Sequence, residues 1–267
     1  MPRAVVNGIN LSYDVYGSGD PVVLITGSGA TGRMWTPHQV PALTAAGFRV
    51  ITVDNRGMPP SDLCLEGFTI GDMVADTVGL IKLLGIGPCR AVGFSLGAML
   101  LQELLLAHPD LITQAVLSAT RGRSDALHNA MSAAELELAE SGVVLPPSYA
   151  AVVHATQFLS RATQNDETRI KDWLDIFEMS LVAPSVNHSQ HGLELIGNRL
   201  EDYRKIRSEC LVIGFQDDLI ASPHFCREVA DCIPGCRYEE LSDCGHYGYL
   251  ERPEKVNSLI IDFFRGA

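Results

Sequence analysis

Serine, aspartate and histidine side chains follow apolar runs at three separate points of this sequence. Ser95 is the centre of the stretch GFSLG, and two carboxylates, Asp217 and Asp218, follow the stretch CLVIGFQ. His246 lies further on, in the stretch SDCGHYGYL. A serine hydroxyl becomes a nucleophile when an imidazole accepts its proton, and a carboxylate must orient that imidazole. The three residue types in this order therefore predict nucleophilic catalysis on an acyl bond, with either aspartate as the acid.

The residues around Ser95 predict a very tight turn between a strand and a helix. A β-type run precedes the serine and a long apolar helical pattern follows it. Such a turn needs small residues two positions before and two after its centre, and Gly93 and Gly97 meet that need. The N–H of Leu96, at the start of the helix, and that of Ser28, in the loop after VVLITG, are the expected donors to an oxyanion.

Short β-branched runs alternate with helical patterns along the chain, which predicts an α/β fold with a mostly parallel, doubly wound sheet. The first two strands flank the turn NGIN and are expected to form an antiparallel hairpin. In an open parallel sheet the carboxyl ends of the strands meet at one edge, so this sheet can bring the serine, an aspartate and the histidine together. The predicted strands are 3–7, 11–16, 22–26, 49–54, 90–94, 115–118, 210–214 and 237–241; the predicted helices are 37–46, 70–84, 96–107, 223–232 and 253–264.

The alternation stops over residues 123–206, where the sequence has several amphipathic helical segments and no convincing strand. We interpret this interval as a helical lid inserted into the sheet domain, above the edge where α/β proteins bind ligands. The predicted organisation is a core formed by residues 1–122 and 207–267, with the lid at 123–206.

Several stretches of the sequence together resemble the α/β-hydrolase fold family. They are GFSLG, GFQDD, GHYGYLERPE and FRVITVDNRG, and the likeness extends over nearly the whole chain. The compact, lid-bearing members of this family include esterases, cofactor-free haloperoxidase-like perhydrolases, thioesterases and carbon–carbon bond hydrolases. The resemblance implies Ser95 as nucleophile, His246 as general base and then acid, and Ser28 and Leu96 as oxyanion donors.

The resemblance also selects between the two aspartates. The family pattern is a glycine, two residues and then the acid; counted from Gly214 this gives Asp217, with Asp218 as the second choice. One departure concerns the oxyanion loop, since Thr26 stands before Gly27 where the family usually has histidine, so the hydrogen bond that supports the loop is altered. The serine at the turn disfavours the related dehalogenases and epoxide hydrolases, which use aspartate there.

The lid and the histidine loop supply large apolar side chains near the predicted site. Ligand sites are mostly apolar with few polar anchors, so a lipophilic or aromatic ester-like small molecule is the expected substrate. We expect a serine hydrolase that forms an acyl-enzyme. The alternatives are a biosynthetic enzyme that uses the same residues for carbon–carbon bond chemistry, proton transfer or acyl transfer, and a slow-turnover ligand receptor. The candidate pocket residues are Gly27, Trp35, Phe158, Trp173, Phe177 and Tyr247.

Composition narrows the partners and the compartment. The formal charge of −12 over 267 residues disfavours nucleic acids and anionic membranes as partners, because no basic stripe is present to neutralise phosphates.

Seven cysteines without a CxxC pair predict reduced thiols in a cytoplasmic protein. The group His224, Cys226, Cys232 and Cys236 fits no common zinc spacing, so we predict no metal and no cofactor. No apolar run is long enough for a signal peptide or a membrane span, and the sequence leaves a homodimer open.

Overall fold

The structure is a computed structural model that describes residues 2–179, 190, 193 and 197–266. Within this part of the chain eight strands form one sheet, and each overlaps a strand predicted from the sequence. The strands are β1 (Arg3–Val6), β2 (Ile9–Tyr16), β3 (Asp20–Ile25), β4 (Phe48–Asp54), β5 (Cys89–Phe94), β6 (Ile112–Ser118), β7 (Glu209–Phe215) and β8 (Arg237–Leu241).

The sheet has the order β1-β2-β4-β3-β5-β6-β7-β8. Strands β3 to β8 pair in parallel, whereas β2 is antiparallel to both β1 and β4. The turn between β1 and β2 has positive φ at Asn7 (45°) and Gly8 (79°), the backbone conformation of the Asn-Gly hairpin turn. The predicted antiparallel hairpin is therefore confirmed.

Helices cover both faces of the sheet. The helices are α1 (Gln39–Ala45), α2 (Ile70–Leu84), α3 (Leu96–Ala107), α4 (Ala126–Glu140), α5 (Pro147–Phe158), α6 (Arg161–Gln164), α7 (Glu167–Met179), α8 (Leu200–Tyr203), α9 (Pro223–Cys232), α10 (Gly248–Glu251) and α11 (Pro253–Arg265). One apolar cluster joins α2, α3 and α9 to one face, and a second joins α1 and α11 to the other. The predicted α/β fold with a doubly wound, mostly parallel sheet is confirmed.

Five of these helices lie between β6 and β7. In the described part of residues 119–208 there is no strand, as the sequence predicts. Helices α5 and α7 pack together through a small apolar cluster that contains Ala151, Ala155, Leu159 and Phe177. Residues 180–189, 191–192 and 194–196 of the predicted lid lie outside the described residues. The lid boundaries at 123 and 206 remain a prediction.

Candidate active site

Ser95 occupies the turn between β5 and α3 in a backbone conformation that non-glycine residues rarely adopt. Its φ is 53° and its ψ is −120°, and its N–H donates to Ser118 O over 3.0 Å. A non-glycine residue at positive φ stores backbone strain, which persists only where the surrounding structure holds it in place. The turn leaves Ser95 8% exposed at the carboxyl edge of the sheet.

Glycines at positions 93 and 97 allow this turn because other backbone passes very close to them. A Cβ on Gly93 would lie 2.5 Å from Gly97 O and 2.6 Å from Ala98 Cα. A Cβ on Gly97 would lie 2.3 Å from Ile25 O, at the end of β3. The small residues expected from the sequence are therefore required by close contacts between the strand and the helix.

The imidazole of His246 lies beside the serine hydroxyl. Its Nε2 is 3.2 Å from Ser95 Oγ, and its Nδ1 is 2.9 Å from Asp218 Oδ2. An ionised carboxylate can only accept hydrogen bonds, so Nδ1 carries the proton and Nε2 is left to accept from the serine. His246 is 4% exposed and Asp218 is 2% exposed, so little water competes for these bonds.

The prediction that Asp217 orients His246 is wrong, and Asp218 has that position. Asp218 Oδ1 also accepts from the N–H groups of Ile220 (2.8 Å) and Ala221 (2.9 Å), which fix the carboxylate beneath the imidazole. Asp217 instead accepts from Arg161 N over 3.0 Å. After β7 the chain turns through the bond from Asp218 N to Phe215 O, and this turn points adjacent side chains in different directions.

The loop after β3 lies directly against the serine. A Cβ on Gly27 would be 3.1 Å from Ser95 Cβ, so this loop approaches the serine as closely as a glycine permits. Ser28 follows in the same loop, and Leu96 is the first residue of α3, where N–H groups have no acceptor within the helix. Thr26 Oγ1 donates to Ala30 O over 3.1 Å, and Asn55 Nδ2 donates to Thr26 O over 3.0 Å, so both bonds hold this loop in place.

Gln190 supports the same loop, and sequence reasoning missed it. Its Oε1 accepts from Gly29 N over 2.9 Å and lies 3.4 Å from Ser28 Oγ, while its Nε2 donates to Arg56 O over 2.9 Å. Gln190 is 1% exposed, so these bonds are shielded from water. A single glutamine within a helical interval carries no sequence signal for contact with a loop 161 residues away.

Aromatic rings of α5 and of the loop after β8 lie beside His246, and two rings of α7 lie against Tyr247. Phe158, at the end of α5, has its ring centre 5.7 Å from the imidazole and 5.1 Å from the ring of Tyr247. Trp173 and Phe177, both on α7, each lie 6.2 Å from Tyr247. Burial raises the pKa of the Tyr247 phenol to about 12, so this side chain is neutral at physiological pH.

Trp35 is buried and is linked to His246 through two intervening aromatic rings. It is 1% exposed, and its ring centre lies 5.0 Å from that of Tyr249. Tyr249 in turn packs on Phe94, and Phe94 packs on His246 at 4.9 Å. Trp35 therefore belongs to the core beneath the site, where it supports the rings that contact the imidazole.

Within the described ranges, no group of three or more His, Cys, Asp or Glu side chains is arranged to hold a metal ion. Over those same ranges, no helix is both long and apolar enough to cross a bilayer. All seven cysteines are free thiols. Ser95, His246 and Asp218 bring a hydroxyl, an imidazole and a carboxylate together at this edge of the sheet.

Comparison with known proteins shows a match to one family model and similarity to proteins of known sequence and structure. The model of the alpha/beta hydrolase family matches residues 22–259. A Mycobacterium tuberculosis protein named "Putative non-heme bromoperoxidase BpoC" is 48% identical over 257 residues, which cover 96% of this chain and 98% of that protein. Its crystal structure superposes with a TM-score of 0.92 at 46% identity and covers 97% of this chain and 96% of the other.

A second solved structure has a different named activity. It is an enol-lactonase from Burkholderia xenovorans LB400, with a TM-score of 0.85 and 27% identity. The alignment covers 99% of this chain and 100% of the lactonase. Two proteins with different named activities therefore share this fold over almost the full length of the chain.

Proposed function

Because the chain belongs to the alpha/beta hydrolase family, we propose that it is a serine hydrolase that cleaves a carboxylic ester or a related acyl bond through an acyl-enzyme. The observation that carries this proposal is the continuous set of contacts from Ser95 Oγ to His246 (3.2 Å) and from His246 to Asp218 (2.9 Å). Hydroxyl, base and orienting acid stand in hydrogen-bonding order, which is the arrangement that activates a serine.

The proposed reaction begins when Ser95 Oγ attacks the acyl carbon and His246 Nε2 takes the hydroxyl proton. The resulting imidazolium is stabilised by Asp218, which keeps its negative charge. The N–H groups of Ser28 and Leu96 receive the oxyanion; each such donor contributes about 3 kcal/mol in enzymes from which one has been removed. His246 then gives its proton to the leaving alcohol, and water, activated by the same imidazole, releases the acid and restores Ser95.

The surroundings of His246 support a lipophilic or aromatic small molecule as the substrate. The rings of Phe158 and Tyr247 offer apolar surface next to the imidazole. Arg56, whose main-chain oxygen accepts from Gln190, has its guanidinium paired with Asp76 at 2.7 Å, so this cation is not available to hold a phosphate. The free thiols support our proposal of a cytoplasmic location.

A second candidate activity is favoured by the 48% identical mycobacterial relative, whose name is that of a bromoperoxidase. Hydrogen peroxide in place of water would attack the acyl carbon at Ser95 and release a peracid. The peracid would then oxidise bromide to hypobromous acid and become the carboxylic acid again. Both activities require the same serine and histidine, and they differ in the molecule that accepts the acyl group.

Labelling with a fluorophosphonate tests the proposal. We expect the probe to modify Ser95 in the wild-type protein and to leave Ser95→Ala unlabelled, with a burst of p-nitrophenol from activated esters in the wild type alone. Ser258→Ala is the matched control, because Ser258 is an exposed serine on α11 and its loss should leave labelling unchanged. A wild-type protein that neither reacts with the probe nor gives a burst would refute the proposal.

A bromination assay with peroxide, bromide and acetate separates the two candidates. Bromination that is lost in Ser95→Ala supports the peroxide reaction. Ester cleavage without bromination refutes peroxide as the acceptor of the acyl group.

A further inference from the structure

A short segment from the last residue of α5 to the first residue of α6, residues 158–161, crosses over the loops that hold His246 and Asp218. We call it the crossing segment. At its start, Phe158 O accepts from Tyr247 N over 3.1 Å; at its end, Arg161 N donates to Asp217 Oδ2 over 3.0 Å. The crossing segment therefore bonds to the residue after the histidine and to the residue before the acid.

The carboxylate of Glu251 lies between the crossing segment and the histidine loop. Its Oε2 accepts from Gly245 N over 2.7 Å, and its Oε1 accepts from Ser160 N over 3.0 Å and from Ser160 Oγ over 2.7 Å. Glu251 is 4% exposed. Burial of a carboxylate is costly unless hydrogen bonds compensate it, and here three donors converge on the charge.

These three donors demand a group that only accepts hydrogen bonds. A carboxylate has two oxygens for them, whereas a glutamine at this position would have one oxygen and an NH2 group. The NH2 group would face either Gly245 N–H or Ser160 N–H, so one buried donor would lose its acceptor. The guanidinium groups of Arg169 and Arg252 donate to the main-chain oxygen of Glu251 and leave its carboxylate to the three donors.

Because residue 245 is a glycine, the crossing segment can pass directly against the loop that holds His246. A Cβ at this position would lie 2.5 Å from Leu159 C, 2.6 Å from Phe158 O and 2.7 Å from Ser160 N. Gly245 immediately precedes His246 in the chain. A shift of the crossing segment therefore moves the backbone from which the imidazole projects.

We propose that Glu251 is a positioning residue for the reaction at Ser95: its carboxylate fixes the backbone at Gly245 against Ser160, and this sets the position of His246. This inference rests on the proposed function and adds to it. It implies that one buried side chain, that of Glu251, both holds the helices between β6 and β7 against the sheet and aligns the imidazole of His246 with Ser95. Misplacement of a reacting group by about 1 Å can cost 10²-fold in rate, so a small displacement suffices.

Glu251→Gln tests the proposal, with Glu254→Gln as the matched control. Glu254 is exposed on α11, three residues away, and its substitution removes the same charge. We expect Glu251→Gln to lower kcat and the rate of phosphonate labelling about 10-fold to 100-fold with KM within threefold, and Glu254→Gln to stay within twofold. Glu251→Asp keeps an acceptor-only group and should retain more activity than Glu251→Gln.

A purely structural role predicts a different result. Glu251→Gln would then melt at a lower temperature, while its folded fraction would keep the wild-type kcat and labelling rate; that outcome overturns the proposal. If Glu251→Gln does not fold, Ser160→Ala removes one of the three donors and leaves the bond to Gly245 in place. A folded Ser160→Ala protein should lose kcat several-fold, and an unchanged kcat overturns the proposal.

Hydrogen exchange separates this proposal from the proposed function. The amides of Tyr247 and Arg161, which bond across the crossing, should exchange faster in Glu251→Gln than in Glu254→Gln. If the wild-type serine does not react with the phosphonate, the proposed function fails, yet faster exchange still shows that Glu251 positions the histidine loop. Unchanged exchange at both amides overturns the positioning role itself.

Discussion

Replacement of Asp218 by asparagine should abolish almost all activity while leaving the fold intact. Asp218 accepts from His246 Nδ1, Ile220 N and Ala221 N. An asparagine has a single oxygen, and the two backbone donors retain it, so its NH2 group faces the imidazole. Nδ1 must then accept, the ring proton moves to Nε2, and Nε2 can no longer take the proton of Ser95. The base is lost although every heavy atom stays in place.

The size of the effect follows from loss of the correct tautomer. In other Ser-His-Asp enzymes the same change lowers kcat about 10⁴-fold, which corresponds to about 5 kcal/mol of transition-state stabilisation. Asp217→Asn is the matched control. Asparagine at 217 keeps an oxygen that can accept from Arg161 N, so we expect kcat within about threefold of wild type.

The assay is steady-state cleavage of an activated aryl ester, combined with phosphonate labelling and a thermal melt for each variant. Asp218→Asn should melt near the wild-type temperature and react at the residual rate. If Asp217→Asn lost the larger share of kcat, or if Asp218→Asn kept wild-type labelling, the assignment of the orienting carboxylate would be refuted.

Two further variants test the architecture around this site. Gly97→Ala places a Cβ 2.3 Å from Ile25 O, so it should lower the free energy of unfolding by about 3 kcal/mol or prevent folding. In Gly71→Ala, the control, the new Cβ meets only Thr69 Oγ1 at 3.4 Å, so urea unfolding should show unchanged or higher stability. Equal effects of the two changes would contradict the close approach of β3 and α3. Burial lowers the pKa of His154, so as the pH falls the imidazole is protonated at a higher pH in the unfolded chain than in the folded chain. The stability that the neutral ring contributes is present above the unfolded pKa of about 6.5 and is lost as the pH falls below it. The melting temperature should therefore drop more between pH 7.5 and 5.5 in wild type than in His154→Phe, and an identical drop in both proteins would contradict this sign.

The sequence predicted most of the architecture because its signals are local. Helix α2 begins at the capping pair Thr69 and Asp72 and ends before Gly85, which adopts a left-handed conformation. Strands β3, β4, β5 and β7 are apolar over most of their length, so their predicted bounds lie within two residues of the observed ones, whereas β6 begins three residues earlier than predicted. The turn at Ser95 could be predicted for the same reason, since its small neighbours lie next to it in the chain.

The parts that the sequence did not predict depend on contacts between distant residues. Asp217 and Asp218 have the same chemistry, and only the turn after β7 decides which one faces His246. Glu251 stands in a stretch that resembles the family, but its carboxylate bonds Ser160, 91 residues away. Gln190 bonds Gly29 in the loop after β3, 161 residues away, and no periodicity in the sequence indicates such a contact.

The reactive groups enter the growing polypeptide in a fixed order. The strand and helix that hold Ser95 are synthesised before residue 108, the helices above the sheet come next, and the imidazole follows only with the loop after β8. Domains can begin to fold on the ribosome, but a nascent chain shorter than 246 residues lacks the imidazole whose Nε2 lies 3.2 Å from Ser95 Oγ. The hydroxyl therefore gains its neighbouring nitrogen only when the final edge strand and the loop after it join the sheet.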